Sequence, residues 1–171
     1  MALTIQPLSE ADLTTAHAIL TLCGEHMHRV QGLSHWYPYR NIERYRQETQ
    51  AATVYGVYDD SWLVGTFYLT PVMRTWYSTV AWEDPNHRAL YLGSLGILPS
   101  VQGRGIGKAV MGHILQMAQQ GGYAALRFDG VANNAPLLHF YDQLGFTQRG
   151  LLVTPSQVSV MVFEKILPAA L

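Results

Sequence analysis

Only one of the 171 residues is a cysteine, Cys23, so no disulfide can form within the chain. Its neighbours Ala18, Ile19, Leu20 and Leu22 are apolar. That suits a buried helical thiol rather than the electropositive, part-exposed setting of a reactive one. Charge of one sign is also missing: 11 Lys+Arg against 12 Asp+Glu leave a net charge of −1. A protein that tracks a phosphate backbone carries a basic excess, so nucleic acid is not expected as a partner. No apolar run reaches the roughly 18–20 residues of a membrane span, so no membrane partner is expected either. The opening Met1-Ala2-Leu3-Thr4-Ile5 lacks the charged start and long apolar centre of a secretory signal. A cytoplasmic protein is the expectation. What is present is an apolar fraction of 49% with ordinary Gly and Pro content, as in a folded globular chain. At this length it can bury a core without metal or disulfide staples, as a single domain over residues 1–171.

Periodicity divides the chain into elements. Leu3 and Ile5 alternate with Thr4 and Gln6 until Pro7, a first strand. Ser9-Glu10-Ala11-Asp12 matches a helix-start signal, which predicts a helix from Ser9 to about His28. Residues 29–41 read as a loop, and Ile42–Gln50 as a short second helix. The runs 52–58 and 62–69 flank Asp59-Asp60-Ser61 and predict a hairpin. Residues 71–87 are ambiguous, with a strand possible over 76–80. Ala89–Ile97 is another strand. Ile106, Val110, Met111, Ile114, Leu115 and Ala118 fall at helical spacing up to Gly121-Gly122. A strand follows over 124–128, a helix through Leu137, Leu138, Tyr141 and Leu144, and a strand over 158–163. The order is that of a mixed α/β, or α+β, domain.

The turn between the strand ending at Ile97 and the helix from Ile106 carries the most chemistry. A helix N-terminus presents unpaired N–H groups and the positive end of a dipole, which attract phosphate. Gly103, Gly105 and Gly107 allow close backbone approach, and Arg104 and Lys108 add positive charge. A P-loop is excluded because Gln102 stands five before Gly107 and Ala109 follows Lys108. A dinucleotide fingerprint is excluded because Lys108 occupies the position of its last glycine. The pattern that fits is Q-x-x-G-x-G, on Gln102, Gly105 and Gly107. Asn134 follows the next strand, Tyr141 stands seven residues later, and Gly145-Phe146 closes that helix.

In these features, from Val101 to Phe146, the chain resembles the GNAT superfamily of acyl-CoA N-acyltransferases. The resemblance implies a central, mostly antiparallel mixed sheet of about six or seven strands. That sheet would splay at strands four and five and be flanked by about four helices. It implies an N-acetyltransferase that uses acetyl-CoA as co-substrate and no metal. Backbone N–H groups of Gln102, Gly103, Arg104, Gly105, Ile106, Gly107 and Lys108 would hold the CoA pyrophosphate. The backbone of Leu95, Gly96 and Ile97 would pair with the pantetheine arm. The Ile97 N–H would polarise the thioester carbonyl, a role worth about 3 kcal/mol of barrier. Asn134 would hydrogen-bond the pantetheine, with helix capping as its competing role. Tyr141 would give a proton to the departing thiolate, with core packing as its competing role.

The general base does not carry over. A lysine-like amine with a pKa of about 10.4 needs about 4–5 kcal/mol to become neutral at pH 7. Histone-type relatives place a Glu six residues before the carbonyl-polarising residue; here that position is Tyr91. Ser94 holding a water, Glu25, His26, His28 and Glu83 are the remaining candidates, beside a water-relayed path. Glu25-His26-Met27-His28 does not have the spacing of a helical zinc site, since His26 and His28 fall on different faces. The resemblance implies an acceptor pocket around Gly24–Tyr39, with Trp76, Tyr77 and Trp82 as aromatic candidates beside it. The expected acceptor is a small amine or amino-acid-like metabolite, and a homodimer is among the expected states. A non-catalytic CoA-binding domain is the alternative.

Overall fold

The computed structural model describes residues 3–169, so Met1 and Ala2 of the opening stretch lie outside the described residues. The chain gathers into two compact units. The first runs to Thr70 and takes in Gly93–Val110; the second comprises Pro71–Leu92 and Met111 onward.

In the first unit β1 (Leu3–Pro7) leads to the helix α1 (Leu13–Gln31). The start signal is used as expected: Asp12 Oδ2 accepts from the Ser9 amide (3.2 Å) and hydroxyl (2.6 Å). The first turn, Glu10–Asp12, is nevertheless a 3-10 turn, and the α-helix begins only at Leu13. It outlasts its expected end at about His28 because Gly32, with φ 68°, is the residue that supplies the left-handed cap. Next come α2 (Ile42–Thr49) and the hairpin of β2 (Thr53–Asp59) and β3 (Trp62–Thr70). β2 pairs antiparallel with β1 (Leu3↔Asp59 to Pro7↔Tyr55) and with β3 (Thr53↔Leu69 to Asp59↔Trp62). Leu13, Ala16 and Leu20 of α1 pack with Tyr45, Val54 and Tyr68 as the core of this unit.

The strand β4 (Ala89–Ile97) belongs to both units, its first half to the second and Gly93–Ile97 to the first. Within the first unit a Cβ on Gly93 would stand 2.1 Å from Cζ of Tyr68, so only glycine lets this strand lie against that ring. The helix α3 (Ile106–Gln120) likewise begins in the first unit and continues in the second.

The second unit adds β5 (Ala125–Val131), α4 (Ala135–Gln143), β6 (Thr147–Val153) and β7 (Ser159–Ile166). Ala89–Tyr91 of β4 pairs in parallel with Ala125–Arg127; β5–β7 and β6–β7 are antiparallel. The parallel pairing spans those three residue pairs, although β4 runs on to Ile97 and β5 to Val131. Following hydrogen-bonded neighbours gives the order β1-β2-β3-β4-β5-β7-β6. This is the mixed sheet, parted at the fourth and fifth strands, that the resemblance implies.

Two local expectations need correcting. Residues 76–80 form no strand: Thr75–Tyr77 is a 3-10 turn. The Tyr77 and Val80 amides bond locally to the Arg74 and Tyr77 carbonyls, which occupies groups a ladder would need. β6 is an additional strand that period-two patterning did not reveal. Leu151 and Val153 are apolar yet exposed on either side of half-buried Leu152, so the run shows no apolar–polar alternation to mark it.

Buried charge marks the second unit. Arg127 and Glu164, each 1% exposed, pair across β5 and β7. Arg127 also donates to the Tyr91 hydroxyl (3.2 Å) and the Asp84 carbonyl (2.8 Å), and its guanidinium lies over the Trp82 ring. Glu164 accepts from the Glu83 amide (2.9 Å) and stands 2.7 Å from Arg149 Nε. This network fastens residues 82–84 to two strands.

Candidate active site

Ten of the predicted site residues are brought together in the first unit. The strand ends at Ile97, whose carbonyl accepts from Gln102 Nε2 (2.8 Å) and from the Cys23 thiol (3.3 Å). The Gln102 side chain thus fastens the turn back to β4 and does not point outward as a ligand group. Gly103 and Gly105 have φ of 77° and 79°, the left-handed region, and a Cβ on either would meet no heavy atom within 4 Å. Their backbone therefore needs glycine and faces open space. Successive amides around left-handed residues make an anion-binding concavity. The Ala109 amide bonds to the Gly105 carbonyl (3.1 Å), so those of Ile106, Gly107 and Lys108 are the orphan donors of the first turn. The Ile106 side chain is 2% exposed, which leaves its backbone as the part that can meet a ligand. Arg104 is paired with Asp59 at 3.1 Å, so its charge is partly offset; Lys108 is exposed.

Upstream, Gly96 lies against α1: a Cβ there would stand 2.8 Å from Leu20 Cδ2 and 3.3 Å from Cys23 Sγ. Cys23 is buried, and burial pushes its thiol up to about 12, so it stays protonated. Ser94, between Gly93 and Leu95, has φ 49°. Its hydroxyl accepts from Arg40 Nη2 (2.8 Å) and from the Tyr39 hydroxyl (3.4 Å). The Arg40 guanidinium sits over the Tyr39 ring, with Nε 2.6 Å from Glu48 Oε2. His28 stacks on Tyr37, centroids 4.1 Å apart, and its Nδ1 is 3.0 Å from Ser34 Oγ. Glu25 is exposed and His26 half-buried on α1.

The other two predicted residues, Asn134 and Tyr141, lie in the second unit. Asn134 is the N-cap of α4, its Oδ1 accepting from the Leu137 amide (3.2 Å). The cap takes the oxygen and leaves Nδ2 as the group a ligand can use. Tyr141 is buried among Phe128, Phe146 and Phe163. Burial first, and the Asp129 charge second, hold its hydroxyl above the usual tyrosine range, so it keeps its proton. Of the expected base positions here, Tyr91 is 5% exposed and bonded to Arg127, and Glu83 pairs with Arg149 at 2.8 Å.

The sequence reading ends the fifth strand at Phe128 and passes over Asp129, which the structure places inside it. The available signal was one acidic residue in the run Ala125–Val131. Its oxygen Oδ2 accepts from the Tyr77 hydroxyl at 2.5 Å. Trp76, Tyr77, Trp82 and Tyr91 form an aromatic cluster in this unit.

The acetyltransferase (GNAT) family profile matches residues 18–146, and the chain belongs to that family. Among solved structures it is similar to an acetyltransferase of the GNAT family from Streptococcus agalactiae, with TM-score 0.82, 16% identity, and 97% and 96% of the two chains covered. The ribosomal-protein-S18-alanine N-acetyltransferase from Escherichia coli superposes with TM-score 0.73 at 16% identity, covering 99% and 96%. A spermidine N-acetyltransferase from Vibrio cholerae, solved with CoA and spermine, gives 0.69 at 20% identity, covering 96% and 95%. At such identities the likeness is one of fold. No curated protein matches the chain.

Proposed function

We propose that the chain is an acetyl-CoA-dependent N-acetyltransferase that acetylates the primary amine of a small molecule or amino-acid-like metabolite by direct attack on the thioester. The observation that carries the reading is the turn at Gly103 and Gly105: left-handed backbone, open space above it, and the first amides of α3 beyond it. These amides would hold the pyrophosphate, with Lys108 beside them. The backbone of Leu95–Ile97 would pair with the pantetheine arm. Tyr141, kept protonated by burial, would supply the thiolate with its proton.

The test combines calorimetric titration with CoA and a thiol-release assay over a library of primary amines. Wild-type protein binds CoA and releases thiol with at least one amine. Tyr141→Phe lowers turnover by about 10²-fold, within the usual range for an acid catalyst, while CoA affinity stays near wild type. CoA binding without turnover on any amine would leave a non-catalytic CoA-binding domain in its place. No CoA binding at all would remove both readings.

A further inference from the structure

Three non-glycine residues among those described carry a positive φ: Asp60, Ser94 and Gln157. Asp60 and Gln157 lie in the connections between β2 and β3 and between β6 and β7, where the chain reverses. Ser94 lies inside the strand β4, at φ 49°. Serine rarely takes that conformation, and an extended strand does not call for it. A strained residue persists only where its surroundings enforce it. At Ser94 those surroundings are two side chains. Arg40 Nη2 donates to its hydroxyl at 2.8 Å, and the Tyr39 hydroxyl donates more weakly at 3.4 Å. The first bond has a charged donor and is the stronger kind.

Tyr39 and Arg40 are themselves fixed at several points of the same unit. Arg40 Nε stands 2.6 Å from Glu48 Oε2 on α2, and its guanidinium covers the Tyr39 ring. The Arg40 carbonyl accepts from His17 Nε2 of α1 at 2.7 Å. Asn41, next in sequence, caps α2 by accepting from the Arg44 amide (2.9 Å). Tyr39 packs on the core formed by Leu13, Leu20 and Tyr45. Beyond Ser94 the strand has little room to slip. A Cβ on Gly65 of β3 would stand 2.5 Å from Ile97 Cδ1 and 2.9 Å from the Gly96 carbonyl oxygen. The turn of the backbone at Ser94 therefore passes directly to Leu95, Gly96 and Ile97.

We propose that Arg40, seconded by Tyr39, is a positioning residue for acyl transfer: it holds Ser94 in its left-handed conformation and so sets how Leu95, Gly96 and Ile97 present their backbone to the thioester. The proposal rests on the acetyltransferase reading, in which that backbone pairs with the pantetheine arm. In this role Arg40 binds no substrate and moves no proton. It acts on geometry alone. A donor amide polarises a carbonyl only from the place where the oxyanion forms, and small misplacements are costly. Locking supporting side chains by packing and hydrogen bonds is what keeps such an amide in place.

The experiment uses the full-length protein, acetyl-CoA and an amine that the wild type acetylates. Arg40→Met keeps an extended side chain and removes the guanidinium, and Glu48 retains Arg44 as a partner at 3.2 Å. It is expected to lower kcat by about 30-fold, with acceptor KM and CoA affinity within about threefold of wild type. Glycine takes φ 49° without a clamp, so adding Ser94→Gly should bring kcat back to within about fivefold of wild type. Ser94→Ala keeps the Cβ but loses the hydroxyl, and should fall as far as Arg40→Met. Ser94→Gly alone should lose no more than about fivefold. Nitrogen–proton correlation spectra read the backbone itself: the Leu95, Gly96 and Ile97 amide peaks should move in Arg40→Met and move back in the double variant. The proposal is overturned if Arg40→Met keeps wild-type kcat, or if it raises acceptor KM alone, the mark of a direct substrate contact. It is also overturned if Ser94→Gly fails to rescue Arg40→Met. Equal losses in Ser94→Gly and Ser94→Ala overturn it too, since they would place the hydroxyl itself in the chemistry. Where Arg40→Met does not fold, the two Ser94 variants decide by that same comparison. A wild type that binds CoA but acetylates no amine fails on the acetyltransferase reading, and it removes the catalytic role of Arg40 even where the amide peaks move as expected.

Discussion

Gly103 and Gly105 hold backbone angles that cost an L-residue about 1–2 kcal/mol, and nothing in the fold occupies the space a Cβ would take. A substitution there is thus a test of conformation and not of packing. Gly105→Ala should weaken CoA binding by about tenfold, the equivalent of about 1.4 kcal/mol, with a modest fall in thermal stability. Titration calorimetry beside a melting curve reads both; unchanged CoA affinity would detach the turn from the ligand. These glycines and Tyr141 were legible because a motif of fixed spacing carries them. Asp129 was not. It is defined by Tyr77 and Arg74, which lie some fifty residues earlier and meet it only in the fold. The same holds for Ser94, whose hydroxyl is claimed by Arg40 and so is not a free holder of water.

Among the elements, the long helices and the hairpin followed from periodicity, because each buries one face against a core. The misread segments are those in which local hydrogen bonds or exposure replace that pattern: the 3-10 turn at Thr75–Tyr77 and the exposed strand β6. The segment after that turn is held by side chains instead. Arg127 and Glu164 tie residues 82–84 to β5 and β7, and the pair is buried with its groups hydrogen-bonded. Removing one partner leaves the other charge buried and uncompensated. Arg127→Ala should therefore destabilise the protein by about 3–5 kcal/mol in urea unfolding. A loss under about 1 kcal/mol would mean that Glu164 finds water or Arg149 as a sufficient replacement.

For the molecule as a whole, burial of phenols and a thiol makes stability depend on alkaline pH. Burial pushes Tyr45 and Cys23 up to about 12, and holds Tyr39 and Tyr141 higher still. Each folded value lies above its unfolded one. Their stabilising contribution is complete below about pH 8 for Cys23 and about pH 9 for the tyrosines, where both states keep their protons. Above that, the unfolded chain releases protons that the folded chain retains, and stability falls until pH passes the folded values. Each group then lowers stability by about 1.4 kcal/mol per pH unit. Urea midpoints taken from pH 8 to 11 should be flat at first and fall steeply above pH 10; a flat series would show these groups to be solvated. Among the described residues no helix is long and apolar enough to cross a membrane. The sequence alone determined the family, the glycine turn before α3 and the order of most elements. All of these rest on local spacing, and local spacing is written along the chain. Tertiary structure decided which side chains are spent on the fold and which keep a free polar atom. Gln102 fastens a turn, Tyr91 serves Arg127, and Asp129 keeps one oxygen unclaimed. Such assignments depend on partners distant in sequence, and only the folded chain brings those partners within hydrogen-bond reach.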